Sequence, residues 1–147
     1  MGHQFQVEDA PDLTVPEDTI LTARLDDVVF ETIEYTDKKT GDPASFDKLN
    51  WWFEVTGSSQ YAGRKIKGET DARVTNHPRN KFRQWAETLL GRELPVGMGL
   101  DTDDLVGLSC QITVRHEPDR KDKDKVWERI EDVFPAGAGS FEDEPPF

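Results

Sequence analysis

The sequence has a single cysteine, Cys110, among 147 residues, so no disulfide can form within the chain. One cysteine suits a reducing compartment and excludes the disulfide scaffold of small secreted domains. No apolar run approaches the roughly 20 residues that a membrane-spanning helix needs, and no charged-then-apolar segment typical of secretion signals opens the chain. We therefore expect a cytoplasmic protein with no membrane partner, and the length favours one domain with tails.

Motifs of catalysis and cofactor binding are also missing. There is no P-loop and no Gly-x-Ser-x-Gly, and the three histidines with one cysteine make no spaced zinc-ligand set. Gly97-Met98-Gly99 lacks the third glycine of a dinucleotide turn. The aspartates within 101–104 lack the glycine and the final glutamate of a calcium loop, so helix capping is the better interpretation. Cys110 lies among apolar neighbours and is better interpreted as a core residue than as a nucleophile. We expect no enzyme, no cofactor and no metal.

Lysine and arginine are absent from both ends of the chain. Residues 1–20 and 131–147 each carry five acids and no base, so residues 21–130 hold the other 20 acids and all 18 bases. Although the whole chain carries a charge of −12, the segment 61–83 has seven bases against two acids. Acidic ends that keep a small domain soluble are one explanation. A nearly neutral body with a basic stretch is equally compatible with a nucleic-acid partner.

Hydrophobic periodicity predicts five strands. Residues 1–18 are acidic and interrupted by prolines, which predicts a flexible N-terminal arm. Apolar residues then alternate with polar ones, as in half-buried strands. The alternating segments are 20–35, with a bulge or coil at Asp26-Asp27, then 49–55, 62–74, 108–114 and 126–133. Polar loops are expected at 36–47 and 116–125, and a short helical turn at 101–105.

One segment has helical periodicity instead. Its apolar residues fall three and four positions apart, at Phe82, Trp85, Ala86, Leu89 and Leu90. Pro78 lies near the expected start and Gly91 just beyond the end, as helix termini prefer. The order is three strands, a helix and two strands. This predicts a mainly β protein, a five-stranded OB-fold barrel with one helix between strands 3 and 4 and flexible acidic tails.

Four tryptophans make aromatic binding surfaces conceivable. Trp51 and Trp52 are adjacent in a strand, so they must face opposite sides. If Trp51 is in the core, Trp52 faces outward, where it is either a base-stacking platform or a structural rim residue. The same two interpretations apply to Trp127 in the fifth strand, Tyr61 at a turn and Tyr35 beside the first loop.

Basic residues near these aromatics are candidates for phosphate contact, because single-strand binders combine aromatic faces with Lys and Arg along the backbone. The main candidates in and after the third strand are Arg64, Lys65, Lys67 and Arg73. Auxiliary candidates in the charged loop before the fifth strand are Lys121, Lys123 and Lys125. That loop also carries acids, and a merely solvated loop remains the alternative.

The segment Glu142-Asp143-Glu144-Pro145-Pro146-Phe147 follows a short Gly- and Ala-bearing tether. Acids beside Pro-Phe form a portable ligand for an apolar pocket with a basic rim. Two alternatives are a disordered solubilising tail and a segment that folds back on the basic face and competes with nucleic acid.

These last residues resemble the acidic tip of bacterial single-stranded-DNA-binding proteins, in which several acids precede Ile-Pro-Phe. Pro146-Phe147 match the pattern, and Pro145 replaces the isoleucine. The body, about residues 15–135, is similar to phage-encoded OB-fold single-strand binders, chiefly in the segments 19–25, 49–55, 103–114 and 133–135. The resemblance implies a barrel face that binds single-stranded DNA and a tip that recruits replication, recombination and repair proteins.

We therefore predict a non-enzymatic, phage-type protein of the host cytoplasm that coats single-stranded DNA. Residues 1–18 would form an arm, 19–135 the binding domain and 136–147 a disordered tail; a homo-oligomer is left open. One alternative is a β-rich interaction or virion module without DNA binding. Another is a metal-dependent nuclease that uses a carboxylate pair, for which the sequence supplies no ligand set.

Overall fold

A computed structural model describes residues 2–7, 14–17, 19–122 and 124–136. These residues form a mainly β protein with the expected order of elements. The strands are β1 (Leu21–Thr36), β2 (Pro43–Val55), β3 (Lys65–Asp71), β4 (Ser109–Pro118) and β5 (Val126–Pro135). Helix α1 (Lys81–Leu90) and a 3-10 turn (Thr102–Asp104) connect β3 to β4.

The five strands form one sheet that closes on itself. Their spatial order is β1-β2-β3-β5-β4, and β4 pairs with β1 to complete the ring. The pairing of β3 with β5 is parallel, at Lys67 and Arg129, and the other pairings are antiparallel. The predicted bulge is confirmed, since the register of β1 against β2 shifts between Leu25 and Asp27.

Paired residues share a face of a sheet, so the register separates the inside of the ring from the outside. Trp51 is opposite Gly68 and points inward, where it is fully buried. Trp52 is opposite Lys67 and is half-buried on the outside. The predicted division of the two tryptophans is therefore confirmed.

Helix α1 packs its apolar stripe against the core and begins and ends as expected. The side chain of Asn80 accepts a hydrogen bond from the Arg83 amide, and Gly91 ends the helix at a φ of 71°. Trp85 lies edge-on to Trp51, with ring centroids 5.4 Å apart. Gly68 makes this packing possible, because a Cβ at this position would lie 2.7 Å from the Trp85 ring.

Cys110 is a buried core residue, as predicted, and burial raises the pKa of its thiol to about 12. A thiol with this pKa holds almost no thiolate near neutral pH, which suits packing rather than nucleophilic chemistry. Among the residues that the structure describes, no helix is long and apolar enough to cross a membrane.

Three predicted boundaries are wrong. The first loop covers only 37–42, because β2 already begins at Pro43. Strand β4 extends to Pro118, whereas residues 116–118 were expected in a loop, and β3 is shorter than the predicted 62–74. In the outer parts of the β1–β2 and β4–β5 hairpins, polar side chains are exposed on the strands. These parts of the strands are held by backbone hydrogen bonds to the neighbouring strand, so their ends cannot be located from the alternation of hydrophobic residues.

The predicted arm 1–18 also needs a correction, because Val15 is fully buried in the core. Its amide donates to Glu128 Oε2 at 3.1 Å, and its carbonyl oxygen lies 2.6 Å from His116 Nε2. A lone valine between prolines and acids carries no periodic signal. Val15 therefore belongs to the packed body, whereas residues 2–7 are exposed.

Candidate nucleic-acid interface

A row of aromatic and basic side chains crosses four strands on the outside of the ring. Trp52 of β2 is opposite Lys67 of β3, Lys67 pairs with Arg129 of β5, and Arg129 is opposite Arg115 of β4. Neighbouring strands lie about 4.8 Å apart, so the row is about 14 Å long. We call it the outer row: Trp52, Lys67, Arg129 and Arg115.

Trp127 lies beside the outer row, at the start of β5, and is 41% exposed. Its indole N–H donates to Asp119 Oδ2 at 2.9 Å. Two cations flank the ring, with Lys125 Nζ at 4.7 Å and the Arg129 guanidinium carbon at 5.5 Å from the centroid. The indole is thus held at one edge and keeps an exposed surface beside positive charge, which is the combination that base stacking uses.

Asp119 organises the turn between β4 and β5. Its carboxylate accepts hydrogen bonds from the amides of Lys121 and Asp122 as well as from Trp127. The Lys121 amide is the main cause that holds the pKa of Asp119 below its ordinary value, followed by the Trp127 indole. The turn therefore positions Trp127 through one charged side chain.

Protonation of Asp119 at low pH should weaken the hydrogen bonds that hold this turn. Since the folded pKa of Asp119 is depressed, its stabilisation is complete above the ordinary value of 3.8 and is lost as the pH falls through the lower folded value. We expect the indole N–H resonance of Trp127 to move in a proton–nitrogen NMR titration at a pH below 3.8. The variant Trp127→Phe assigns the peak, and Asp119→Asn should remove the titration. An indole resonance that titrates with the ordinary aspartate pKa would contradict this account.

The β1–β2 hairpin adds two aromatic side chains on the outside. Tyr35 and Phe46 are 49% and 50% exposed, and their ring centroids are 6.0 Å apart. The sequence predicts a loop at Phe46, which is wrong because β2 begins at Pro43, and Phe46 is not among the predicted site residues. The signal available was its even spacing from Trp52, which puts Phe46, Lys48 and Trp52 on one face of β2.

Carboxylates neutralise the lysines around the outer row. Lys67 Nζ lies 3.2 Å from Glu69, and Lys65 Nζ lies 3.0 Å from Asp26. Lys48 contacts both Glu69, at 3.1 Å, and Glu31. Partial burial acts to raise the pKa of Glu69, but hydrogen bonds from Lys48 and Lys67 outweigh it and hold this pKa below its ordinary value. A phosphate that binds one of these lysines would therefore have to displace the carboxylate that is paired with it.

Three predicted site residues lie away from the outer row. Arg64 pairs with Glu128, which also binds the Val15 amide. Tyr61 lies in the β2–β3 turn, half-buried against the core. Arg73 follows β3 on the connection to α1, where its carbonyl accepts a hydrogen bond from Asn80. Arg64 and Tyr61 are held by partners distant in sequence, whereas Arg73 lies beyond the end of β3 and outside the sheet.

Arg115 and Arg129 are members of the outer row that sequence reasoning missed. Arg129 is two residues from Trp127, so the strand period could have placed both on one face. The predicted residues Lys123 and Glu142–Phe147 lie outside the described part of the chain. Among the described residues, no group of three potential metal ligands comes together.

Comparison with known proteins adds no relative: no protein-family model and no curated protein sequence matches the chain.

Proposed function

We propose that the protein binds single-stranded DNA on the outside of an OB-fold barrel, without sequence specificity and without catalysis. The observation that carries the proposal is the outer row with Trp127 beside it. The ring of five strands, the helix between β3 and β4 and the hairpins β1–β2 and β4–β5 at either side of the row support the OB-fold assignment.

Stacking would supply the contact with the bases. Trp52 is half-buried at one end of the outer row and Trp127 is exposed near the other, so two bases of one strand can reach two indoles. Stacking on an aromatic face tolerates any base, since every base has a π-face. This is the physical reason to propose binding without sequence preference.

The phosphates would be met by Lys67, Arg129 and Arg115. Each of these is paired with a carboxylate: Lys67 with Glu69, Arg129 with Glu117 at 3.8 Å, and Arg115 with Glu131 at 3.6 Å. The two arginine–glutamate contacts are long, so a phosphate can replace Glu117 or Glu131 at a small cost in free energy. Binding should be moderate and sensitive to salt, because each phosphate contact releases a counterion.

A protein of this kind would protect single strands during replication, recombination and repair. We extend the proposal to the segment 142–147 as a site that recruits partner proteins of these processes. This part rests on the sequence pattern of acids before Pro-Pro-Phe.

The test is a titration of intrinsic tryptophan fluorescence with oligothymidylate at low and at high salt. Trp51 and Trp85 are buried, so quenching would report the exposed Trp127 and half-buried Trp52. We expect quenching that weakens as salt increases, with a slope of about −0.7 per phosphate contact on logarithmic axes.

Absence of quenching and of any mobility shift at low salt would overturn the proposal. The measurement should be repeated on a variant lacking residues 142–147, because an acidic segment could compete with DNA. A protein that stays inert in both forms would instead be a β-rich interaction module in which the outer aromatics contact another protein.

A further inference from the structure

The connection from β3 to α1 and the first residue of α1 carry cations that differ from the lysines around the outer row. Arg73, Arg79 and Lys81 are all exposed. Within the described residues none of the three forms an ion pair, whereas Lys48, Lys65 and Lys67 all do. In a chain of charge −12, cations without carboxylate partners are the ones ready to meet an anion.

Two of these cations, Arg79 and Lys81, line a cleft together with the aromatic residue Phe46. The cleft has a volume of about 380 Å³ and is lined by Phe46 and Lys48 of β2, by Glu69 and Asp71 of β3, and by Arg79 and Lys81. Phe46 is 50% exposed, so its ring is accessible from the cleft. An accessible aromatic ring beside two unpaired cations combines base stacking with phosphate contact in one place.

The carboxylates in the cleft do not cancel this charge. Glu69 is held by Lys48 at 3.1 Å and by Lys67 at 3.2 Å. Asp71 is exposed and opposes an anion, but it is one charge against two. The cleft is therefore net positive beside Phe46.

The cleft is continuous with the outer row through β2. Phe46 and Trp52 lie on the same face of this strand, six residues apart, which corresponds to about 20 Å in an extended strand. A nucleic acid that stacks on Trp52 and runs along β2 would pass Lys48 and reach Phe46.

We infer that this cleft is a second nucleotide-binding site, in which Phe46 stacks a base and Arg79 and Lys81 bind the phosphodiester backbone. The inference rests on the proposed function and extends it. The outer row binds a short stretch of single-stranded DNA, and the cleft binds a further stretch of the same strand. The length of the bound strand is then set by the β3–α1 connection as well as by the barrel face.

The experiment compares oligothymidylates of about 5 and about 15 nucleotides, which lie near the two ends of the range typical of such sites. For the full chain we expect tighter binding and a steeper salt dependence with the longer strand. The double variant Arg79→Ala/Lys81→Ala should lose at least about fivefold in affinity for the longer strand, with a salt slope shallower by about 1.4 for two lost phosphate contacts. Its affinity for the short strand should stay unchanged.

Two further variants separate a local site from a general effect of charge. Arg92 is an exposed arginine beyond the end of α1, without an ion pair among the described residues, so Arg92→Ala serves as the control and should bind both strands normally. Asp71→Asn removes the one opposing charge and should tighten binding of the longer strand alone.

Three results would be decisive against the inference. If the double variant binds both lengths like the unaltered protein, the cleft is not a site, although the proposed function stands. Equal losses for both lengths would mean a general electrostatic effect. If the unaltered protein binds neither length, the proposed function itself fails.

Discussion

Replacing Trp52 by alanine should weaken binding of single-stranded DNA by about 5- to 150-fold while the protein stays folded. The estimate follows from the value of one base stacked on an aromatic ring, about 1–3 kcal/mol, and from a tenfold change in affinity for every 1.4 kcal/mol. Trp52 is half-buried on the outer face, opposite Lys67, so its removal leaves no cavity inside the ring.

The measurement is anisotropy of a labelled oligothymidylate, since the variant itself lacks one fluorophore. Phe30→Ala is the matched control. Phe30 is 60% exposed on the same hairpin, but it is opposite Leu49 and lies on the other face of the sheet. We expect the control to bind normally. Equal affinity of the Trp52 variant and the unaltered protein, with both folded, would show that the outer row is not the stacking surface.

Replacing the neighbouring Trp51 by alanine should act on the fold itself, because it should destabilise the folded protein by about 3–5 kcal/mol. Trp51 is fully buried, stacks on Phe53 with ring centroids 6.5 Å apart, and meets Trp85 edge-on at 5.4 Å. Its indole N–H donates to Thr70 Oγ1 at 2.8 Å. Loss of the ring removes this packing and leaves a cavity between the sheet and α1. Since small domains are stable by only about 5–15 kcal/mol, the loss is large.

Urea unfolding, followed by circular dichroism, tests this expectation. The Trp52→Ala variant is the natural control, because it removes the same side chain one residue away. Trp51→Phe should recover much of the lost stability, since it fills part of the cavity. Thr70→Val removes the acceptor of the indole N–H together with the hydrogen bond that Thr70 Oγ1 donates to the Asp71 carbonyl, and should cost about 1–3 kcal/mol, because a buried indole N–H would lose its acceptor. A Trp51→Ala variant as stable as Trp52→Ala would contradict the packing described here.

Several features of the fold could be predicted from local patterns. Alternation over 49–55 is enough to send Trp51 inward and Trp52 outward, since the side-chain period of a strand is two. The helix was equally readable, because its apolar residues repeat at helical spacing and Gly91 follows its last residue. The bulge after Leu25 was visible because two consecutive aspartates interrupt the alternation.

The candidate site was harder to predict, because its charges are decided by partners far away in sequence. Lys65 meets Asp26, and Arg64 meets Glu128, 64 positions later. No local pattern shows such pairs. The basic stretch 61–83 looked uniform, yet Lys65 and Lys67 have carboxylate partners, whereas Arg79 and Lys81 form no ion pair in the described structure. Arg79 and Lys81 lie beyond β3, on the connection and at the first residue of α1, where they are available to phosphates.

By itself the sequence determined the order of strands and helix, the inward and outward faces and the core role of Cys110, because these depend on spacing within one segment. The tertiary structure decided which strands are neighbours, and therefore that Trp52, Lys67 and Arg129 form one row. It also decided that Val15 belongs to the core and that Phe46, Arg79 and Lys81 line one cleft. These contacts join segments that are distant in sequence. They form only when the strands pair and pack into the closed ring, so no pattern within one segment predicts them.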